Sequence, residues 1–182
     1  GVFQGLRVDH IDWRQDPETY LNRLRELTGP EVYITVEKIL ETGEAFPAHW
    51  PVQGNTGYDF LAMANNLFTR GESRKAFTDY YEKLTGKKEN LEQRILDKKT
   101  LILKRHMAGE LENLYQLFKS LELITPAELA TVNESLKEAI AQVLIYCPVY
   151  RFYGNTMPLS SEETTAMEAI IAVAGKAHKI GR

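Results

Sequence analysis

The chain of 182 residues carries 22 basic and 25 acidic side chains, a net charge of −3, and this gives no electrostatic footprint for nucleic acid or an anionic membrane. Its 43% apolar and 26% charged residues are an ordinary globular mixture, with no apolar run of membrane-spanning length and no signal-peptide pattern. Cys147 is the lone cysteine, so no internal disulfide forms, no oxidising compartment is demanded, and the cytoplasm is the default.

In chain order, residues 6–8 form a short apolar run of strand type. Asp16 is a good N-cap with Pro17 at the first helical position, and Tyr20, Leu21, Leu24 and Leu27 mark one apolar face. "EVYITVEKIL" reads as a second strand ending near Glu37. Strand, helix and strand make one βαβ unit, which implies parallel neighbours. Residues 41–56, with two prolines, two glycines and Trp50, read as an ordered loop.

Thr56-Gly57-Tyr58-Asp59 resembles a capping box and opens a helix to about Thr69. Another helix is predicted over 73–84, and one long helical pattern over 89–121. Thr125-Pro126-Ala127-Glu128 is a capping box for a helix to Tyr146. "CPVYRFY" is extended, and Ser160 to Glu163 cap a last helix ending near His178. The fold class expected is mainly α, with a short βαβ piece at the N-terminus. A two-stranded ribbon leaves both edges open, and Gly1 leads straight into a strand. Both features suggest a piece of a longer protein, whose exposed strand edges invite a homodimer.

Asp9 and Glu37 fall at equivalent places, where each strand gives out at its C-terminal end. Active sites of parallel α/β architectures lie at that end. Adjacent strands are about 4.8 Å apart. Two carboxyls at their tips can therefore approach the roughly 5–5.5 Å spacing of retaining glycoside chemistry. Arg7 shares a strand face with Asp9 and would hold it ionised. Val36 and Ile39 beside Glu37 would raise its pKa toward that of an acid. The competing reading is a helix-capping, salt-bridged turn, and spacing alone leaves both open.

"GLRVDH" looks like the Gly-x-Arg-x-Asp segment that carries the nucleophile of the α-amylase-type glycoside hydrolases. More narrowly, "GLRVDHID", "YITVEKIL", "WPVQGNTGYDFL" and "CPVYRFY", in that order, resemble the maltooligosyltrehalose synthases over nearly the whole chain. The resemblance implies two strands and one helix of a (β/α)8 barrel over 1–40, the loop over 41–56 and a helical insertion domain over 57–182. It implies an enzyme that turns the reducing-end α-1,4 linkage of a maltooligosaccharide into an α,α-1,1 linkage, without a cofactor or metal. Asp9 would be the nucleophile, Arg7 its partner and Glu37 the acid/base. His10, Asp12 and Lys38 would surround the acceptor glucose, and Trp50 and Tyr58 would stack on sugar and exclude water.

The sequence departs from that pattern at Trp13-Arg14, where the family usually has Gly-Leu, and at Ala62. The His-Asp or Asn-Asp pair holding these enzymes' third catalytic Asp does not occur in it. The 182 residues alone are therefore expected to lack synthase activity. Other functions compatible with the residues are a non-catalytic helical scaffold or dimerisation module, and another α-amylase-type hydrolase or glucanotransferase. Elsewhere the plainer readings are preferred: His106 structural, Cys147 a packed thiol, and Arg151 and Tyr153 at the core edge. His49 is read either as a sugar contact beside Trp50 or as packed against its own domain.

Overall fold

A computed structural model describes residues 2–88 and 90–178. The chain divides into two compact units. One holds the residues through Tyr81 together with Val149–Asn155, and the other holds Glu82–Pro148 and the residues from Thr156 onward.

In the first unit, β1 (Gly5–Val8), α1 (Pro17–Thr28) and β2 (Tyr33–Val36) form the expected βαβ unit. The strands are parallel, with Leu6 opposite Ile34 and Val8 opposite Val36. Asp16 caps α1 by accepting from the Thr19 N–H at 3.0 Å. Val8, Ile34 and Val36 bury their side chains against Leu21 of α1, Ile11 and Trp50. That burial, and not strand propensity over four residues, stabilises the sheet.

The loop expected over 41–56 contributes a third parallel strand, β3 (Gly54–Asn55), giving the order β1-β2-β3. Gly-Asn has no β-propensity to announce it; side chains hold it in place instead. The Gln53 Oε1 accepts from the Ile34 N–H at 2.6 Å and from Arg25 Nη2 at 3.0 Å. Arg25 also donates to the Pro51 carbonyl at 2.9 Å and the Val32 carbonyl at 2.6 Å. Beyond β3, the Thr56 N–H donates to the Val36 carbonyl at 3.0 Å. Thr56 thus belongs to the sheet edge, and the capping box expected there does not form. Gly57, at φ 98°, makes the left-handed turn into α2 (Tyr58–Leu67).

The division between the units falls within α3 (Arg74–Thr85). The second unit continues with α4 (Leu91–Arg105), α5 (Ala108–Ser120), α6 (Pro126–Tyr146) and α7 (Ser161–His178). The single helix expected over 89–121 is two helices, and its expected start, Glu89, lies outside the described residues. The N–H groups of His106 and Met107 both donate to the Ile102 carbonyl, at 2.8 and 3.1 Å, and close α4 there. The break lets Leu103 of α4 and Leu111 of α5 share one buried cluster with Ala141 and Ile145 of α6. Thr125 and Glu128 form the expected capping box on α6. Among the described residues, no helix is long and apolar enough to cross a membrane.

Candidate active site

The register of β1 and β2 ends at Val8 and Val36, so Asp9 and Glu37 leave the sheet side by side. The Glu37 N–H still donates to the Val8 carbonyl at 2.7 Å, which continues the ladder under the two carboxyls. Arg7 lies on the same strand face as Asp9. Its Nη2 is 2.8 Å from Asp9 Oδ1 and 3.7 Å from Glu37 Oε1, so one guanidinium reaches both acids. His10 takes the left-handed conformation at φ 50°, uncommon for a side-chain-bearing residue. This aims its N–H at Glu37 Oε2, 3.2 Å away. The Tyr58 hydroxyl, from the first turn of α2, donates to Glu37 Oε1 at 3.0 Å.

Asp9 has a side chain 59% exposed and Glu37 only 14%. At that exposure the Arg7–Asp9 pair adds little to stability; its consequence is orientation. Asp9, His10 and Glu37 each offer one ligand atom within 4.8 Å of the others. These donor types suit a divalent cation, but the Arg7 guanidinium already supplies positive charge there and opposes a second cation.

Glu37 is held below its ordinary range, first by a hydrogen bond with the Asp9 carboxyl, then by the His10 N–H and the Tyr58 hydroxyl. This reverses the elevation expected from its apolar sequence neighbours. Val36 is buried in the core while Ile39 is exposed, so neither desolvates the carboxyl. Tyr58 is raised in turn, chiefly by its hydrogen bond to Glu37. Tyr58→Phe removes a donor to the ionised form, so the Glu37 pKa should rise in a carboxyl NMR titration. An unchanged or lower value would show that Tyr58 does not stabilise the charge. A depressed carboxyl contributes stability above its unfolded pKa that is lost as pH falls through its folded value. The variant should accordingly lose part of the acid-side slope of stability.

Lys38 and Trp50, expected at the sugar, are placed elsewhere. Lys38 is buried. Its Nζ lies 2.7 Å from Glu44 Oε1 and 3.4 Å from Asp12 Oδ2, so it binds the Asp12 turn to the segment after β2. Trp50 is 5% exposed and packs edge-on to Phe46 and Tyr153 in the core. Asp12 also accepts from the Tyr153 hydroxyl. Burial, then that hydrogen bond, pushes Tyr153 well above the ordinary tyrosine range.

Asn55 is not singled out by the sequence, and Arg151 is read there only at the core edge. Asn55 exchanges hydrogen bonds with both backbone groups of Lys38, the Lys38 N–H donating to its Oδ1 at 3.0 Å. Arg151 donates to the carbonyls of Asp12 and Arg14 at 2.8 and 2.7 Å. Only the "CPVYRFY" and "WPVQGNTGYDFL" strings signalled that these segments belong beside the strand ends. His49 lies within 3.5 Å of Glu18 on α1. Beside Glu37 is a pocket of about 360 Å³ lined by residues including His10, Trp13, Glu41 and Tyr150.

No protein-family model matches the chain. A curated protein of Mycobacterium tuberculosis, named maltooligosyl trehalose synthase in two strains, is 36% identical over 114 residues, 63% of this chain and 15% of its own length. A solved maltooligosyltrehalose synthase from Arthrobacter ramosus has a TM-score of 0.76 at 27% identity, covering 97% of this chain and 21% of that one. The DSM5389 glycosyltrehalose synthase gives 0.74 at 30% identity, over 98% and 21%. A Sulfolobus tokodaii structure, described as a hypothetical maltooligosyl trehalose synthase, gives 0.71 at 27%, over 97% and 22%. The chain is similar to maltooligosyltrehalose synthases and spans 21–22% of the length of these solved relatives.

Proposed function

We propose that this chain supplies two of the catalytic carboxyls of a maltooligosyltrehalose synthase acting by a retaining, intramolecular transglucosylation. The observation that carries the reading is the Asp9–Glu37 pair at adjacent parallel strand ends, bridged by one guanidinium. The Asp9 carboxylate attacks C1 of the penultimate glucose of a maltooligosaccharide. The α-1,4 bond breaks, and Glu37 gives its proton to the departing O4. The freed glucose stays and turns. Its anomeric hydroxyl then attacks C1, Glu37 takes the hydroxyl proton, and the bond to Asp9 breaks. Two inversions leave an α,α-1,1 linkage.

Glu37 is held low in the open site, so its role as an acid is tied to occupancy. A ring seated over the pair excludes water, disfavours the charged form and raises the pKa. Arg7 and the His10 N–H keep both carboxyls oriented. The chain covers about a fifth of its solved relatives, and a third catalytic Asp belongs to the same reading. The 182 residues alone should therefore make no trehalose-terminated product from maltopentaose; such a product would refute this division of the site. Within a synthase carrying the segment, the proposal fails if Asp9→Asn and Glu37→Gln both keep full isomerising activity.

The reading places the enzyme in the cytoplasm. It also includes self-association of the isolated chain through β1, an outer strand of the sheet. A monomeric mass by light scattering at high concentration would remove that last element.

A further inference from the structure

The turn that leaves β1 is anchored at Ile11, Asp12 and the Arg14 carbonyl. Ile11 is fully buried in the core. Asp12 is bound by Lys38 and Tyr153, and Arg151 holds the carbonyls of Asp12 and Arg14. On this anchored turn Trp13 is 73% exposed. One face lies nearly parallel to the His10 ring, with centroids 4.9 Å apart and planes 18° from parallel. The opposite face is open, and Trp13 lines the pocket of about 360 Å³ that also holds Glu37, Glu41 and Tyr150.

An aromatic ring held toward water on an immobile base forgoes burial but loses little further freedom when a ligand arrives. The pocket is large enough for a sugar ring, being within the usual range for small-molecule sites, about 300–1,000 Å³. The C–H groups on one face of a pyranose carry slight positive charge and suit the negative face of an indole. The Glu41 carboxylate, on the same pocket, can accept from sugar hydroxyls. We propose that Trp13, backed by His10, is a specificity-determining platform on which a glucopyranose ring stacks beside the Asp9–Glu37 pair. The inference rests on the proposed transglucosylation for its ligand class, but binding can be tested apart from chemistry.

The sequence has two tryptophans, so the 15N-labelled chain should give two indole N–H signals, assigned with Trp13→Phe. Titrated with maltose at millimolar concentrations, the Trp13 signal should move and saturate while the buried Trp50 signal stays. Sorbitol, a polyol without a ring, should move neither. Asp9→Asn should keep the Trp13 response. Trp13→Ala should weaken maltose binding, read on the backbone N–H of Glu37 and Tyr150, by about tenfold. An unmoved Trp13 signal, an equal response to sorbitol, or unweakened binding by Trp13→Ala would overturn the platform. If maltose moves Trp13 while the Asp9 and Glu37 variants keep full activity, the platform stands and the catalytic reading falls. The opposite pair of results removes the platform alone.

Discussion

In a synthase carrying this segment, Asp9→Asn is expected to lower kcat by about 10⁴-fold or more. KM should change little. The amide keeps the shape of the carboxyl and can still meet Arg7 and His10. It cannot form the ester to the sugar carbon, so the loss belongs to the chemical step. Glu37→Gln removes proton transfer in both half-reactions and should lower kcat about 10²–10⁴-fold. The two losses should not add, because both residues serve the same bond exchange. Steady-state kinetics on maltopentaose, with both sugar products quantified, checks this. Full activity of the Asp9 variant would remove it as the nucleophile.

Lys38→Met should destabilise the unit holding the strands by about 3–5 kcal/mol. Asp12 and Glu44, each with a side chain 12% exposed, would be left without their shared cation. The thermal midpoint of that unit should drop by about 12–40 °C. Adding Asp12→Asn and Glu44→Gln to Lys38→Met should recover part of the loss, because the stranded charges disappear. A loss for Lys38→Met below about 1 kcal/mol would be what an exposed ion pair gives, and would contradict a buried anchor. Lys38 follows Glu37 directly in the chain, so loosening the anchor should also disorder the Glu37 carboxyl.

The parts legible in the sequence share one property: short-range chemistry sets them. The Asp16-Pro17 start of α1 and the Thr125–Glu128 box of α6 are written within a few residues, and both form. Asp9 and Glu37 can be matched because each ends an apolar run of strand type, and the register brings them together. What escaped depends on distant partners. The resemblance puts Lys38 at the acceptor glucose, yet Lys38 is buried because Asp12 and Glu44 arrive from either side of it in the sequence. Trp50, in a proline-rich loop, reads as available to sugar, but Phe46 and Tyr153 enclose it. β3 has two residues and no strand pattern, since side-chain hydrogen bonds attach Gln53 to Ile34 of β2 and Asn55 to Lys38 just beyond it. The expected elevation of Glu37 failed for a related reason. Val36 turns into the core and Ile39 is exposed, whereas Asp9, His10 and Tyr58 do meet the carboxyl.

The proposed mechanism joins Asp9 covalently to the sugar while Glu37 handles the proton. An α-maltosyl fluoride donor separates the two roles, because fluoride leaves with little help from an acid. Given to the Glu37→Gln form of a synthase carrying this segment, it should add one maltosyl group through C1. Mass spectrometry of the digested protein should find that group on the peptide containing Asp9. An unmodified Asp9 peptide, or the sugar attached at another carboxyl, would contradict the assignment.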